Sequence, residues 1–205
     1  MTAARRTQEE RRTASEQRLL TAAAELVAEH GPAGVTLASV GERAGYSRGL
    51  ATHHFGSKGA MMARLVDSVT TPFRDAVLSE TRSGSVLEEA LGLVRAYFRV
   101  LSNPEPVNRA RLVLWADAVA AGSPEVRPAL VAADREFRDE LTARIALGVA
   151  SGEVAASIDP GGLSTTIVGM LRGVALQAML DDQVDLDACR AEVEELLIGR
   201  LRSTG

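Results

Sequence analysis

An all-α fold is what this 205-residue sequence predicts, and three observations lead there. Hydrophobic residues make up 46% of the chain while aromatics contribute only 3%, so the core is built from Ala, Leu and Val, side chains small enough for helices to pack closely. Apolar residues recur at three- and four-residue spacing, whereas alternating β-branched runs bounded by turn residues are missing. Gly, Pro, Ser, Thr and Asp punctuate these stretches where helix ends belong.

The first helix is read from Ser15, with Leu19, Leu20, Ala23, Ala24 and Val27 as its apolar stripe and Gly31-Pro32 as its stop. Thr36 caps a short second helix reaching about Ala44, with Leu37 and Val40 inward, and Gly45 suits the left-handed residue that ends it. Ser47 caps a third helix to about His53, and Ser57 a fourth that carries Met61, Met62, Leu65, Val66 and Val69. Beyond Pro72 the elements lengthen: one helix opens at Ser85 and closes at Asn103, a second surrounds NRARLVLWADAVAAG, and a third runs from Pro124 to Gly152. A strongly apolar helix, LSTTIVGMLRGVALQAML, and a last one, LDACRAEVEELLIGRLR, complete the chain.

Several function classes are excluded at this level. Cys189 is the only cysteine, so no intramolecular disulfide forms, in keeping with a reducing cytoplasm. No apolar segment follows the N-terminal arginines, and no unbroken apolar run approaches the ~20 residues a bilayer span needs, so neither export nor a membrane partner is expected. HExxH and GxxxxGK[ST] spacings are absent, the GxSxG spacing at Gly45–Gly49 joins two helices rather than a strand to a helix, and no histidine follows His54 to activate Cys189; the expectation is no catalysis and no cofactor. His53 and His54 point about 100° apart on a helix with no third ligand near, so no metal site is expected.

The net charge of −4 hides an asymmetry. Residues 1–58 hold eight basic side chains against six acids, and the remaining 147 residues hold 15 against 21. A modestly basic head on an acidic body suits a polyanion-binding module attached to something that is not one.

Two short helices joined at Gly45 and Tyr46, the second beginning at Ser47, match a helix-turn-helix, whose second helix enters the DNA major groove. Ser47, Arg48, Leu50 and Thr52 lie in its first turns, within reach of base edges or phosphates. Gly49 lets the helix approach the duplex closely, while Thr36 and Lys58, the chain's only lysine, open the flanking helices where backbone N–H groups and a cation grip phosphates. Phe55 anchors the third helix to the fourth. His54 is read as a phosphate contact or a packing residue, with His53 more exposed.

The segment VTLASVGERAGYSRGLATHHFGSKGAMM resembles the DNA-binding signature of the TetR family of transcriptional regulators, a likeness covering residues 15 to about 66. It implies an all-helical homodimer, with an N-terminal three-helix helix-turn-helix domain on a near-palindromic DNA operator and a small-molecule pocket in a C-terminal helical ligand-binding and dimerisation domain. Such proteins are usually repressors released by their effector. Tyr46, Gly49 and the His53-His54 pair join the DNA-binding set on this basis. The chain departs from the family at Thr52, where a tyrosine is common; a hydroxyl remains, with shorter reach. Residues 1–14 are expected to be a mobile basic tail, 15–57 the DNA-binding domain and 58–205 the effector and dimer domain.

More weakly, the loop SGEVAASIDP and the two last helices resemble the C-terminal domain of the regulators that include the choline-responsive repressor of betaine synthesis. Thr165, Gly169 and Gly173 recur every four residues, and glycine costs about 1 kcal/mol in a helix interior, so another helix approaches closely there. The partner is either a second subunit, with Leu196 joining the interface, or a helix of the same chain. Phe73, Tyr97, Phe98, Trp115 and Met170 are the bulky residues available to line an effector cavity, and Arg111, Asp117 and Gln177 the polar groups available to orient its occupant. A helical-bundle adaptor without ligand response is the alternative reading.

Overall fold

The computed structural model describes residues 8–79, 84–103, 105–120 and 122–202. The first seven residues of the tail expected to be mobile lie outside these. Among the described residues there are nine helices and no strand: α1 (Gln8–His30), α2 (Leu37–Arg43), α3 (Arg48–Phe55), α4 (Lys58–Ser79), α5 (Val86–Leu101), α6 (Pro106–Val119), α7 (Arg127–Ser151), α8 (Pro160–Leu180) and α9 (Leu186–Leu201).

They form two compact units. One takes α1 to α3, α4 as far as Val69, and the segment Glu105 to Leu130; the other takes α4 from Thr70, α5, α7 from Val131, α8 and α9. These units are divided differently from the 15–57 and 58–205 segments, because α6 packs along α1. In the first unit the α1 stripe of Leu19, Leu20, Ala23 and Val27 is buried with Val40, Ala51, Met61, Met62, Leu65, Ala110 and Leu114. In the second, α5 packs on α9 and α8, burying Leu93, Val94, Tyr97, Phe98, Ile167, Leu171, Val193 and Leu197.

Two element boundaries differ from expectation. Residues 8–14 are the first turns of α1, not tail. They carry no apolar stripe, so periodicity misses them, but Gln8, Glu9, Glu10, Arg11 and Arg12 are strong helix formers and Glu9 and Glu10 favour the positive helix end. Helix α4 runs on through Pro72, a residue with no amide hydrogen to give to the fourth carbonyl before it.

The turn between α2 and α3 is set by the backbone. Gly45 takes the left-handed conformation at φ 77°; its N–H donates to the Glu42 carbonyl at 3.0 Å, and the Tyr46 N–H donates to the Gly41 carbonyl at 2.9 Å, which together satisfy carbonyls left open by the end of α2. A Cβ added at Gly41 would stand 2.7 Å from the Ser47 carbonyl oxygen and 3.4 Å from the Arg48 Cα. Only glycine lets α3 begin that close to α2. Gly41→Ala is therefore expected to destabilise the first unit by about 1–3 kcal/mol, as overpacking does, measured as a fall in the denaturant midpoint; an unchanged midpoint would mean that the contact is relaxed without cost.

Candidate nucleic-acid interface

Helix α3 is anchored by its inner side. Ala51 is fully buried, and Tyr46, Leu50 and Phe55 pack partly against the core of the first unit. Its outer side leaves Ser47, Arg48, Gly49, Thr52 and His53 exposed. Ser47 occupies the cap position of α3 and is exposed, yet its side chain makes no capping hydrogen bond, so the expected side-chain cap is absent. Space around Gly49 is open, with nothing within 4 Å of an added Cβ. Arg48 forms an ion pair with Glu42 on the last turn of α2.

The flanking residues are engaged differently. Thr36 caps α2: its Oγ1 accepts from the Ser39 N–H at 3.1 Å while the Ser39 hydroxyl accepts from the Thr36 N–H at 3.0 Å. Lys58, half-buried at the start of α4, donates from Nζ to the Ala33 carbonyl at 3.2 Å. His54 is half-buried, its Nε2 3.0 Å from the Ser15 Oγ of α1, which supports its packing role; His53 is exposed.

Beside α3 runs an open groove of about 720 Å³, walled by Arg11, Arg12 and Arg18 of α1 on one side and by Tyr46, Leu50 and the two histidines on the other. These three arginines were missed as site residues. Arg11 and Arg12 fall in the expected basic tail and Arg18 on the polar side of the first helix, where the excess of positive charge in residues 1–58 was the only signal. Helix α2 is locked to α1 by Arg43, which donates from Nη1 and Nη2 to the two Glu29 carboxylate oxygens at 2.8 and 2.7 Å and reaches Glu25 at 3.3 Å. Those hydrogen bonds hold the Glu29 carboxyl below its ordinary 4.5 and raise Arg43.

The other candidates do not assemble into one site. Phe73 meets Tyr97 edge-on at 5.4 Å and Phe137 at 6.3 Å, and Tyr97 meets Phe98 at 6.4 Å; Phe137, which the sequence left unremarked, belongs with them. Met170 is half-buried on α8. Arg111, Trp115 and Asp117 sit on α6, in the other compact unit. Gln177 is exposed on α8 in line with Thr165, Gly169 and Gly173, so it faces outward rather than into a cavity. Nothing described approaches within 4 Å of a Cβ added at Gly169 or Gly173, so among the described residues no helix of the same chain is the close partner those glycines predict. Leu196 on α9 is 59% exposed. By length and composition alone α8 is apolar enough to cross a bilayer, but Arg172, Gln177 and its threonines interrupt it, so it is not the unbroken apolar run a span needs; 28% of its most apolar window is buried.

Residues 19–65 match the family model of the bacterial regulatory proteins of the tetR family, and residues 88–202 match that of the BetI-type transcriptional repressor C-terminal domain. The chain is similar to the HTH-type transcriptional regulator BetI of Rhizobium meliloti, at 26% identity over 189 residues, 91% of this chain and 89% of the relative. In structure it is similar to SmeT, the repressor of the Stenotrophomonas maltophilia multidrug efflux pump SmeDEF, in a triclosan complex, with TM-score 0.79, 22% identity and coverage of 94% of this chain and 93% of that one. It is likewise similar to a transcriptional regulator from Saccharomonospora viridis in complex with choline, with TM-score 0.78, 17% identity and coverage of 93% and 99%. At such identities the structural likeness concerns the fold.

The Arg43–Glu29 clamp gives a pH dependence with a definite sign. A lowered carboxylate value stabilises the folded state fully above 4.5 and progressively less as pH falls below it. Glu29→Gln is expected to flatten the acid limb of the denaturant midpoint against pH; a limb identical to that of the parent would remove the clamp from the account.

Proposed function

The chain belongs to the tetR family of bacterial regulatory proteins, with a C-terminal domain of the BetI-type repressors, and from that premise we propose that this transcriptional regulator is a homodimeric repressor released from its DNA operator when a small molecule binds the C-terminal domain. The observation that carries the DNA reading is the outer side of α3, five exposed residues on a helix whose inner side is buried. Arg48 reads base edges there, and Gly49 allows close approach to the duplex. Thr52 and His53 share the phosphate contact for which the family commonly uses a tyrosine, and Thr36 and Lys58 grip phosphates from the starts of α2 and α4. Tyr46, Leu50 and His54 hold the helix in place. The head is the 15–57 segment, extended back to Gln8 by the α1 arginines; 58–205 binds effector and partner subunit.

Dimerisation is assigned to the exposed strip of α8, Thr165, Gly169, Gly173 and Gln177, with Leu196 of α9. An apolar helix left mostly uncovered, with two open glycines in register, suits a second copy of itself. This reading also accounts for the apolarity of α8 without a membrane, and the protein is placed in the cytoplasm. The effector region is assigned to Phe73, Tyr97, Phe98 and Phe137 with Met170. Two neighbours in fold hold choline and triclosan, ligands so unlike that no effector class is carried over. Release is mechanical: α4 begins at Lys58, beside α3, and continues past Val69 into the C-terminal unit, so an effector that shifts α4 takes the two heads off successive major grooves, about 34–36 Å apart.

Selection of bound fragments from sheared genomic DNA of the source organism tests the regulator reading against a helical-bundle adaptor, since an adaptor enriches none. On the recovered operator, Lys58→Ala is expected to weaken binding evenly across sequences and to reduce the salt slope by about one. Gly49→Ala is expected to keep or raise the melting temperature, because alanine is the better helix former by about 1 kcal/mol, while weakening operator binding; equal binding would discard the close approach. Gly173→Glu is expected to shift the sedimentation coefficient from dimer to monomer, and an intact dimer would move the interface elsewhere.

A further inference from the structure

The turn that positions α3 also joins two charges. Glu42 lies on the last turn of α2 and accepts the turn's Gly45 N–H through its backbone carbonyl; Arg48 is the first residue of α3. Gly41 and Gly45 bring these two backbones together, and across the turn the Arg48 Nε–H donates to the Glu42 Oε1. The side chains are 77% and 50% exposed, so the pair adds little to folding stability. Arginine is also a poor choice for the positive end of a helix. Stability therefore does not account for Arg48 being there or for its partner.

We propose that Glu42 is a positioning and specificity residue for operator recognition: by taking the Nε–H of Arg48 it aims the two terminal guanidinium nitrogens outward as a fork for the O6 and N7 acceptors of a guanine. Bidentate pairing to guanine needs a guanidinium edge fixed in direction. With Nε held, both terminal nitrogens remain for the base. The Glu42 carboxylate also offsets the charge of Arg48 and repels phosphate oxygens, so Arg48 contributes little to sequence-independent attraction. Specificity is the difference between operator and non-operator affinity, and Glu42 raises it from both sides.

This rests on the proposed role of α3 in DNA binding, and the experiment separates the two. Full-length parent, Glu42→Gln, Glu42→Ala, Arg48→Ala and the double variant Glu42→Ala with Arg48→Ala are measured on the operator fragment recovered by genomic selection. Each of its single base-pair substitutions and an unrelated duplex of equal length are included, at several salt concentrations. Both Glu42 variants are expected to bind the unrelated duplex more tightly and to lose roughly tenfold in discrimination at the same base pair at which Arg48→Ala loses it. The double variant is expected to discriminate no worse than Arg48→Ala. Discrimination is a ratio, so the general gain from losing a negative charge cancels. Glu42→Gln keeps the size of the side chain and carries the test if Glu42→Ala folds poorly. Unchanged discrimination in the Glu42 variants, or an equal further loss in the Arg48→Ala background, overturns the proposal. Operator binding with no base pair affected by Arg48→Ala overturns base reading by Arg48 and the role of Glu42 with it, whereas recovery of no fragment at all overturns the DNA-binding reading itself.

Discussion

The close approach of two backbones at Gly41 is the constraint on which the recognition surface depends. With the Ser47 carbonyl where a Cβ would otherwise stand, the start of α3 is set against the end of α2 by backbone contact rather than by a tunable side chain. The left-handed Gly45 then satisfies the last carbonyls of α2 within the same turn. Arg43 ties α2 back to α1 with a two-point carboxylate contact, and the buried Ala51 lies on the inner side of α3. Interiors packed this tightly transmit strain rather than absorb it, so α1, α2 and α3 are placed as a set.

Charge works locally in this protein. A chain of net −4 presents arginines along one groove of the first unit, and over distances beyond about 10 Å solution ions screen the acidic residues elsewhere. In the second unit the charged groups are instead paired in place. Arg95 and Arg190 both donate to Glu194, holding its carboxyl below its ordinary range, with Arg95 the larger influence, and Arg172 of α8 donates to Asp134 at 2.5 Å. Pairing the only charge of α8 within its own unit leaves the outer strip of that helix, Thr165, Gly169, Gly173 and Gln177, uncharged.

The helix-turn-helix was legible because its information is local: Thr36 and Gly45 mark ends that any helix must satisfy, and Met61, Met62, Leu65 and Val66 repeat at helical spacing and are all buried. Glycine at 41 was not read, since its reason is a contact with residue 47 that exists only once both helices are placed. The start of α1 was missed for the opposite cause, as a polar helix without an apolar stripe gives periodicity nothing to detect. Effector candidates were the least legible. Bulky residues on amphipathic helices look alike in sequence whether they share a cluster, as Phe73, Tyr97 and Phe98 do, or lie in another unit, as Trp115 does.

The division of labour on α3 has a consequence for descent. Everything that fixes the helix uses its inner side and its turn, while Ser47, Gly49, Thr52 and His53 on the outer side touch little of the protein's own structure. Substitutions there change what the surface meets at small cost to folding, so a lineage can exchange one set of target genes for another without passing through an unfolded ancestor.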